Sequence, residues 1–260
     1  MLSVVIITLN EEANIGRTLR SIESLVKDGR GEIIVVDSGS TDRTCEIARS
    51  FGAQVFVEPW KGYAAQKNSG LSKARGEWIL SLDADEELEP RGGAEIGEVM
   101  QTNSAINTAS PVGYFISRKN YFLGRWMKHG GFWPDPKPRL FRHGVGRFED
   151  RKVHEDVKIN GTTGKISTGA LIHHSYPALS DYIEHMNRYS SLGAEMVGAR
   201  SFSVMNIVLR PMATFVYNYF FRLGFLDGRE GLLLHLYHAV YVSWKYAKAW
   251  ESGRSAKSAS

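Results

Sequence analysis

The first ninety or so residues alternate between short β-branched runs and segments whose apolar positions recur at helical spacing. Leu2 to Leu9 is rich in Val and Ile and too short for a buried helix, so it reads as a central strand. After Asn10, the residues Glu11, Ile15, Leu19, Ile22 and Leu25 continue with helical spacing on one apolar face. A second strand, Glu32 to Val36, ends at Asp37, and the turn from Ser38 to Asp42 caps a helix over Arg43 to Phe51. Gln54 to Glu58 makes a third strand. Tyr63 to Ala74 makes a third helix, stopped at Arg75 and Gly76, and the run Trp78 to Leu82 makes a fourth strand. Strands and helices alternating with crossovers of this length predict an α/β fold with a doubly wound, mainly parallel sheet.

In such sheets ligands bind beyond the carboxyl ends of the strands. Thr8 with Asn10, then Asp37, then Asp83 with Asp85 all fall at such ends, so the topology gathers them on one rim. Asp83, Ala84, Asp85 and Glu86 follow the Trp78 strand directly, and carboxylates one residue apart suit a hard divalent cation held against phosphate oxygens. Acidic residues also serve in turns and caps, and Asp37 stands where it would cap the next helix. The first turn, Asn10, Glu11, Glu12, has no Gly-rich loop, and no P-loop is present. Without a cradle of backbone amides, a diphosphate here depends on a metal.

The strings VVIITLNEEANI, EIIVVDSGSTDRT, the pair Lys67 and Asn68, and ARGEWILSLDADEE occur in that order. Together they resemble the nucleotide-binding half of a family 2 glycosyltransferase of GT-A fold. That resemblance implies a nucleotide-sugar donor, usually a UDP-sugar, with Mg2+ or Mn2+. By position it implies that Thr8, Asn10 and Glu11 line the nucleotide and that Asp37 binds the base or ribose. Lys67 would lie near the nucleotide, and Asp83 and Asp85 would be the D-x-D triplet, Asp85 being the direct metal ligand.

In the second half, Val112 to Phe141 interleaves aromatic residues with Arg118, Lys119, Arg125 and Lys128, which suits a phosphorylated sugar acceptor or, more plainly, a core with surface anchors. An inverting transferase needs a carboxylate opposite the leaving diphosphate to take the acceptor proton. The string Val153, His154, Glu155, Asp156 resembles the acceptor-side acidic motif of the family, with Glu155 preferred over Asp156 as base. Some GT-A enzymes complete the metal shell with a histidine from the region of His173 and His174. Strand alternation puts these two on opposite faces, and His174 is the one favoured. The layout from DADEE through PRLFR, VHED and HHSYPALSDYIEHMNRYS to GFLDGREGL is similar to bacterial lipopolysaccharide core glycosyltransferases that add glucose to an inner-core heptose.

Phe202 to Phe221 and Leu232 to Trp250 are apolar and aromatic, yet each is interrupted short of the roughly 20 apolar residues that span a bilayer. With Arg222, Arg229, Lys245 and Lys248 beside Tyr, Phe and Trp, they read as helices lying in a membrane interface. The expected divisions are therefore 1–110 (nucleotide-sugar half), 111–179 (acceptor half), 180–251 (helical and membrane-associating) and 252–260 (a disordered tail).

Composition changes this picture little. The chain has 260 residues, 43% hydrophobic and 23% charged, enough for one core and an appendage. Its formal charge of +4 suits anionic ligands or a lipid surface, and the lack of any Lys/Arg run or zinc-finger spacing argues against nucleic acid. Cys45 is the single cysteine, which fits a reducing compartment, and Met1 to Asn10 reads as a strand without a basic n-region or cleavage site, so secretion is not expected. The expected protein is an inverting, metal-dependent hexosyltransferase, using UDP-glucose and a lipopolysaccharide or other lipid-linked acceptor, peripheral at the inner face of the cytoplasmic membrane. Other donors within the family, a nucleotidyltransferase, or an inactive binding module on the same fold are the alternatives, and oligomeric state is left open.

Overall fold

The computed structural model describes residues 1–102, 110–149, 157–200 and 202–258. In chain order its elements are β1 (Leu2–Thr8), α1 (Ile15–Val26), β2 (Gly31–Asp37), α2 (Thr44–Ser50), β3 (Gln54–Val57), α3 (Tyr63–Lys73) and β4 (Trp78–Asp83). There follow β5 (Glu86–Leu88), α4 (Pro90–Thr102), β6 (Gly113–Phe122), β7 (Arg125–Trp126), β8 (Asp135–Arg142), β9 (Gly146–Phe148), β10 (Val157–Ile159) and β11 (Thr163–Tyr176). The chain ends with α5 (Leu179–Val197), α6 (Arg210–Val216) and α7 (Gly228–Ser258). Two compact units result, Met1–Arg118 with Asp135–His173, and Lys119–Pro134 with His174–Ser260.

The first unit is built on a sheet of order β3-β2-β1-β4-β8-β6-β11-β5. β3, β2, β1 and β4 are parallel, as their crossover helices require. Beyond β4 the pairs β4–β8, β8–β6 and β11–β5 are antiparallel. The sheet is thus mixed, and the expectation of a mainly parallel one holds only for its first four strands. Both faces of β1 are covered: Leu2, Val4 and Ile6 pack with Ile15, Leu19 and Ile22 of α1, while Val5 packs with Ala64 and Leu71 of α3.

The sheet also curls. Four strand spacings separate β4 from β5, about 19 Å if flat, yet only three residue steps, with a reach of about 11 Å, lead from Asp83 to Glu86. Closure follows, with the Asp83 amide donating to the Glu86 Oε2 at 3.1 Å. It folds β8, β6 and β11 around the end of β4.

In the second unit, Tyr121 and Phe122 pair with Trp126 and Arg125 through a two-residue turn, Leu123 and Gly124, both in the left-handed region that such tight turns demand. Phe122, Met127, Tyr182 and Leu234 form its core. The Lys248 ammonium ties α7 to α5 by donating to the Asn187 carbonyl at 2.7 Å and to Ser190 Oγ at 2.8 Å. α7 runs to Ser258, through most of the segment expected to be without structure.

Gly70 lets α3 lie against β1, since a Cβ there would stand 2.4 Å from Val5 Cγ1. Gly70→Ala is expected to cost about 1–3 kcal/mol in urea unfolding, with α3 lifted from the sheet. Wild-type stability in that variant would mean that the contact relaxes without cost.

Candidate active site

The apolar run of β4 ends at Asp83, and the chain turns through Ala84 and Asp85 into β5. Asp83 is gripped from both sides. Lys67 Nζ of α3 lies 2.7 Å from Oδ1, and an Arg139 guanidinium nitrogen of β8 lies 2.6 Å from Oδ2. The same Arg139 nitrogen also reaches Glu86 Oε1 at 2.6 Å. Arg118 of β6 contacts Glu86 at 3.3 Å and forms a closer pair with Asp135 at 2.8 Å, its partner across the β6–β8 ladder. Glu86 is fully buried and Lys67 and Arg139 nearly so, which makes this a buried charge network and not a solvated turn.

Burial alone would push the Asp83 carboxyl up, but Arg139 and then Lys67 more than offset it and hold it well below the usual carboxylate range. Asp85 follows the same pattern with a different partner. Burial works against its charge, and His173, with Nε2 3.1 Å from Oδ2, brings its pKa below the ordinary value. Arg139 is desolvated, yet Asp83 and Glu86 raise its pKa further.

His173 therefore stands where His174 was expected. The β5–β11 register sets His173 opposite Glu86, and the next residue faces away, so that His174 stacks on Tyr121 at 5.8 Å between ring centroids. Asp85 and His173 offer one carboxylate and one imidazole, a donor set that fits Mg2+ or Mn2+ when phosphate oxygens and water complete the shell. Among the described residues no cluster of three or more His, Cys, Asp or Glu side chains is arranged to hold a metal.

The other rim residues come together as the topology requires. Thr8 and Asp37 are direct partners across the β1–β2 ladder. Asp37 is fully buried and serves its own turn, Oδ1 accepting from the Gly39 and Ser40 amides at 2.9 and 2.8 Å and Oδ2 from the Ser40 hydroxyl. Asn10, at φ 54°, joins the two loops through Oδ1, which accepts from the Thr41 amide at 2.9 Å. Burial pushes the Glu11 carboxyl up, against a hydrogen bond from Asn14, and the nearby charges of Asp85, Asp42 and Asp83 push it further. Thr8 Oγ1, Ser38 Oγ and both amide atoms of Gln66 are buried with no hydrogen-bond partner among the described residues. Buried polar atoms without a partner are rare in folded proteins, and Thr8 and Ser38 stand at the ends of β1 and β2.

Glu155 and Asp156 lie outside the described residues. Sequence reasoning placed Glu86 in the acidic cluster without a role of its own, missed Asp135 and gave Arg118 and Arg139 no partner. The available signal was Arg139 itself, an arginine inside the run from Pro138 to Phe141, where the chain can bury charge only if it is paired.

A curled mixed sheet with paired aspartates at the end of its fourth strand is the architecture of a GT-A glycosyltransferase. Two solved structures share the fold. Mannosyltransferase PcManGT from Pyrobaculum calidifontis, in complex with GDP-Man and Mn2+, superimposes with a TM-score of 0.57 at 14% identity, covering 96% of this chain and 87% of that one. S. aureus TarS 1–349 in complex with UDP gives 0.51 at 19% identity, over 98% and 91%. The chain belongs to glycosyl transferase family 2, whose model matches residues 3–166. It is 30% identical over 258 residues to the lipopolysaccharide core biosynthesis glycosyltransferase LpsC of Rhizobium meliloti (strain 1021), covering 96% of this chain and 92% of the relative. An uncharacterized glycosyltransferase of Rickettsia typhi (strain ATCC VR-144 / Wilmington) is 31% identical over 261 residues, covering 96% and 87%.

Because Asp83 and Asp85 have depressed pKa values in the fold, their contribution to stability is complete above the unfolded carboxylate value, about 3.9, and is lost as pH falls through the folded values. Arg139→Met removes the main offset to Asp83 burial. It is expected to lower stability by about 3–5 kcal/mol and to move the acid-unfolding midpoint to higher pH, read by circular dichroism. An unmoved midpoint would refute the assignment of Arg139 as the counter-charge.

Proposed function

We propose that this chain is an inverting, metal-dependent hexosyltransferase that moves glucose from UDP-glucose to a lipopolysaccharide inner-core or other lipid-linked sugar acceptor. The observation that carries the reading is the charge balance of the rim. Lys67, Arg139 and Arg118 are already engaged by Asp83, Glu86 and Asp135, so a diphosphate arriving there needs positive charge from elsewhere. Asp85 and His173 would hold a divalent ion that supplies it, and the ion would neutralise charge on the leaving diphosphate. Thr8, Asn10, Glu11 and Asp37 would line the nucleotide, in the half spanning 1–110, with the acceptor received by 111–179.

Glu155, with Asp156 beside it, would take the proton of the acceptor hydroxyl as its oxygen attacks the anomeric carbon. The bond from that carbon to the diphosphate oxygen then breaks on the opposite face, and the nucleoside diphosphate leaves. The family resemblance supports UDP, and TarS with UDP is consistent with it. PcManGT, with GDP-Man, indicates that the fold alone does not choose the base. The name of LpsC supports the acceptor class. A nucleotide-sugar donor and a lipid-linked acceptor meet at the inner face of the cytoplasmic membrane, which is the location we assign.

The test is a panel of nucleotide sugars with Mg2+ or Mn2+ and a lipopolysaccharide-core acceptor extract. One donor, UDP-glucose, is expected to yield nucleoside diphosphate and glycosylated acceptor. Release of pyrophosphate would indicate a nucleotidyltransferase. Asp85→Asn should abolish metal-dependent turnover while the far-ultraviolet spectrum is kept. Glu155→Gln should bind donor normally and lose roughly 10²–10⁴-fold in transfer rate. Loss confined to Asp156→Asn would move the base by one residue.

A further inference from the structure

Most of the large apolar side chains that are exposed among the described residues lie between Phe202 and Leu236. Their placement is ordered. Helical turns run without a break from Met205 through α6 to Phe221, with a π-helical stretch at each end (Met205–Leu209 and Tyr217–Phe221). One side of this helix rests on α7: the Ile207 carbonyl accepts from Ser243 Oγ at 2.8 Å, Tyr219 meets His235, and Arg210 bonds the Tyr246 hydroxyl. The other side carries Met205, Leu209, Met212, Val216 and Phe220, at the spacing of a single helical stripe, and all are exposed. Phe221 is 76% exposed, and the turn that follows adds Leu223, Phe225 and Leu226.

Charge on this surface has one sign. Between Phe202 and Leu226 the only ionisable side chains of a charged type are Arg210 and Arg222, both exposed, and Arg229 follows. The nearest carboxylates are engaged elsewhere: Asp227 is buried against His129 at 2.8 Å, and Glu230 lies 3.6 Å from Arg125. α7 is the support and not a second inserting helix, since Leu234, His235, Ala239, Val242 and Ala249 are buried. No helix among the described residues is long and apolar enough to cross a membrane.

We propose that the outer face of residues 202–226 inserts into one leaflet of a bilayer bearing anionic headgroups, lying in the interface with its arginines at headgroup level. An apolar stripe flanked only by cations matches that surface. A second copy of the chain fits less well, because a two-fold contact would bring Arg210, Arg222 and Arg229 of both copies into one interface, with the nearest carboxylates, Asp227 and Glu230, already paired. The inference stands apart from donor and acceptor, since binding is read without turnover.

The experiment is flotation of the full chain with phosphatidylglycerol-containing vesicles and with neutral phosphatidylcholine vesicles. The wild type is expected to float with the anionic vesicles, more weakly in high salt. Met212→Glu with Phe221→Glu is expected to weaken binding by at least about ten-fold, with the circular-dichroism spectrum and melting temperature unchanged. Phe221→Trp should show a blue-shifted emission with anionic vesicles. Unchanged binding in the double variant would overturn the proposal. So would an absence of vesicle binding combined with a dimer, by light scattering, that the same substitutions dissociate.

Discussion

One guanidinium nitrogen of Arg139 stands 2.6 Å from both Asp83 and Glu86, and the site is organised around that shared contact. Burying three charges is costly, and the cost is offset only when every partner is satisfied. Glu86 meets that demand with Arg139, Arg118 and the Asp83 amide, while Asp83 adds Lys67. Remove the arginine and two carboxylates face each other without sufficient compensation. The curl of the sheet is the geometric counterpart of this network, because Arg139, Arg118 and Glu86 come from three different strands.

The arrangement separates two tasks that a bare D-x-D triplet leaves merged. Asp83 is held by cations of the protein itself, so it fixes the end of β4 and the position of α3. Asp85 pairs with the His173 imidazole and sits near Glu11, whose carboxyl is pushed up by burial. The first aspartate is therefore tied to Lys67 and Arg139, whereas the second is paired with His173. Thr8 Oγ1 and Ser38 Oγ, buried without partners at the ends of β1 and β2, extend the same rim.

Much of the first half was legible because period and punctuation agree there. The strands over Leu2, Glu32, Gln54 and Trp78 and the helices over Ile15, Arg43 and Tyr63 appear within a few residues of their expected places. α1 begins at Ile15 rather than Glu11 because Asn10 adopts a left-handed backbone and Glu11 to Asn14 form a turn. β5 has no signal of its own in the sequence, since Glu86, Glu87 and Leu88 become a strand only by pairing with β11. Without that register no rule could choose between His173 and His174. The aromatic stretch after Val112 admits two readings from sequence, an acceptor surface or a core with surface anchors, and Tyr114, Phe122 and Phe141 are buried core. Lys119 and Lys128, by contrast, do stand over the Trp126 ring, at 4.9 and 4.6 Å. Hydrophobic pattern reports burial well, but cannot report which buried charge meets which.

The seam between β4 and β8, where parallel pairing gives way to antiparallel, also bears on how such proteins can be recombined. The two strands carry Asp83 and Arg139, far apart in sequence and joined only through space. A chimaera that takes residues before α4 from one homologue and those after it from another cuts no element, yet it separates the aspartate from its arginine. Joining a new second half to this first half therefore requires that Arg139, and with it Arg118 and Asp135, travel as a set matched to Asp83 and Glu86. The breakpoint that looks natural in the sequence is the one the buried charges forbid.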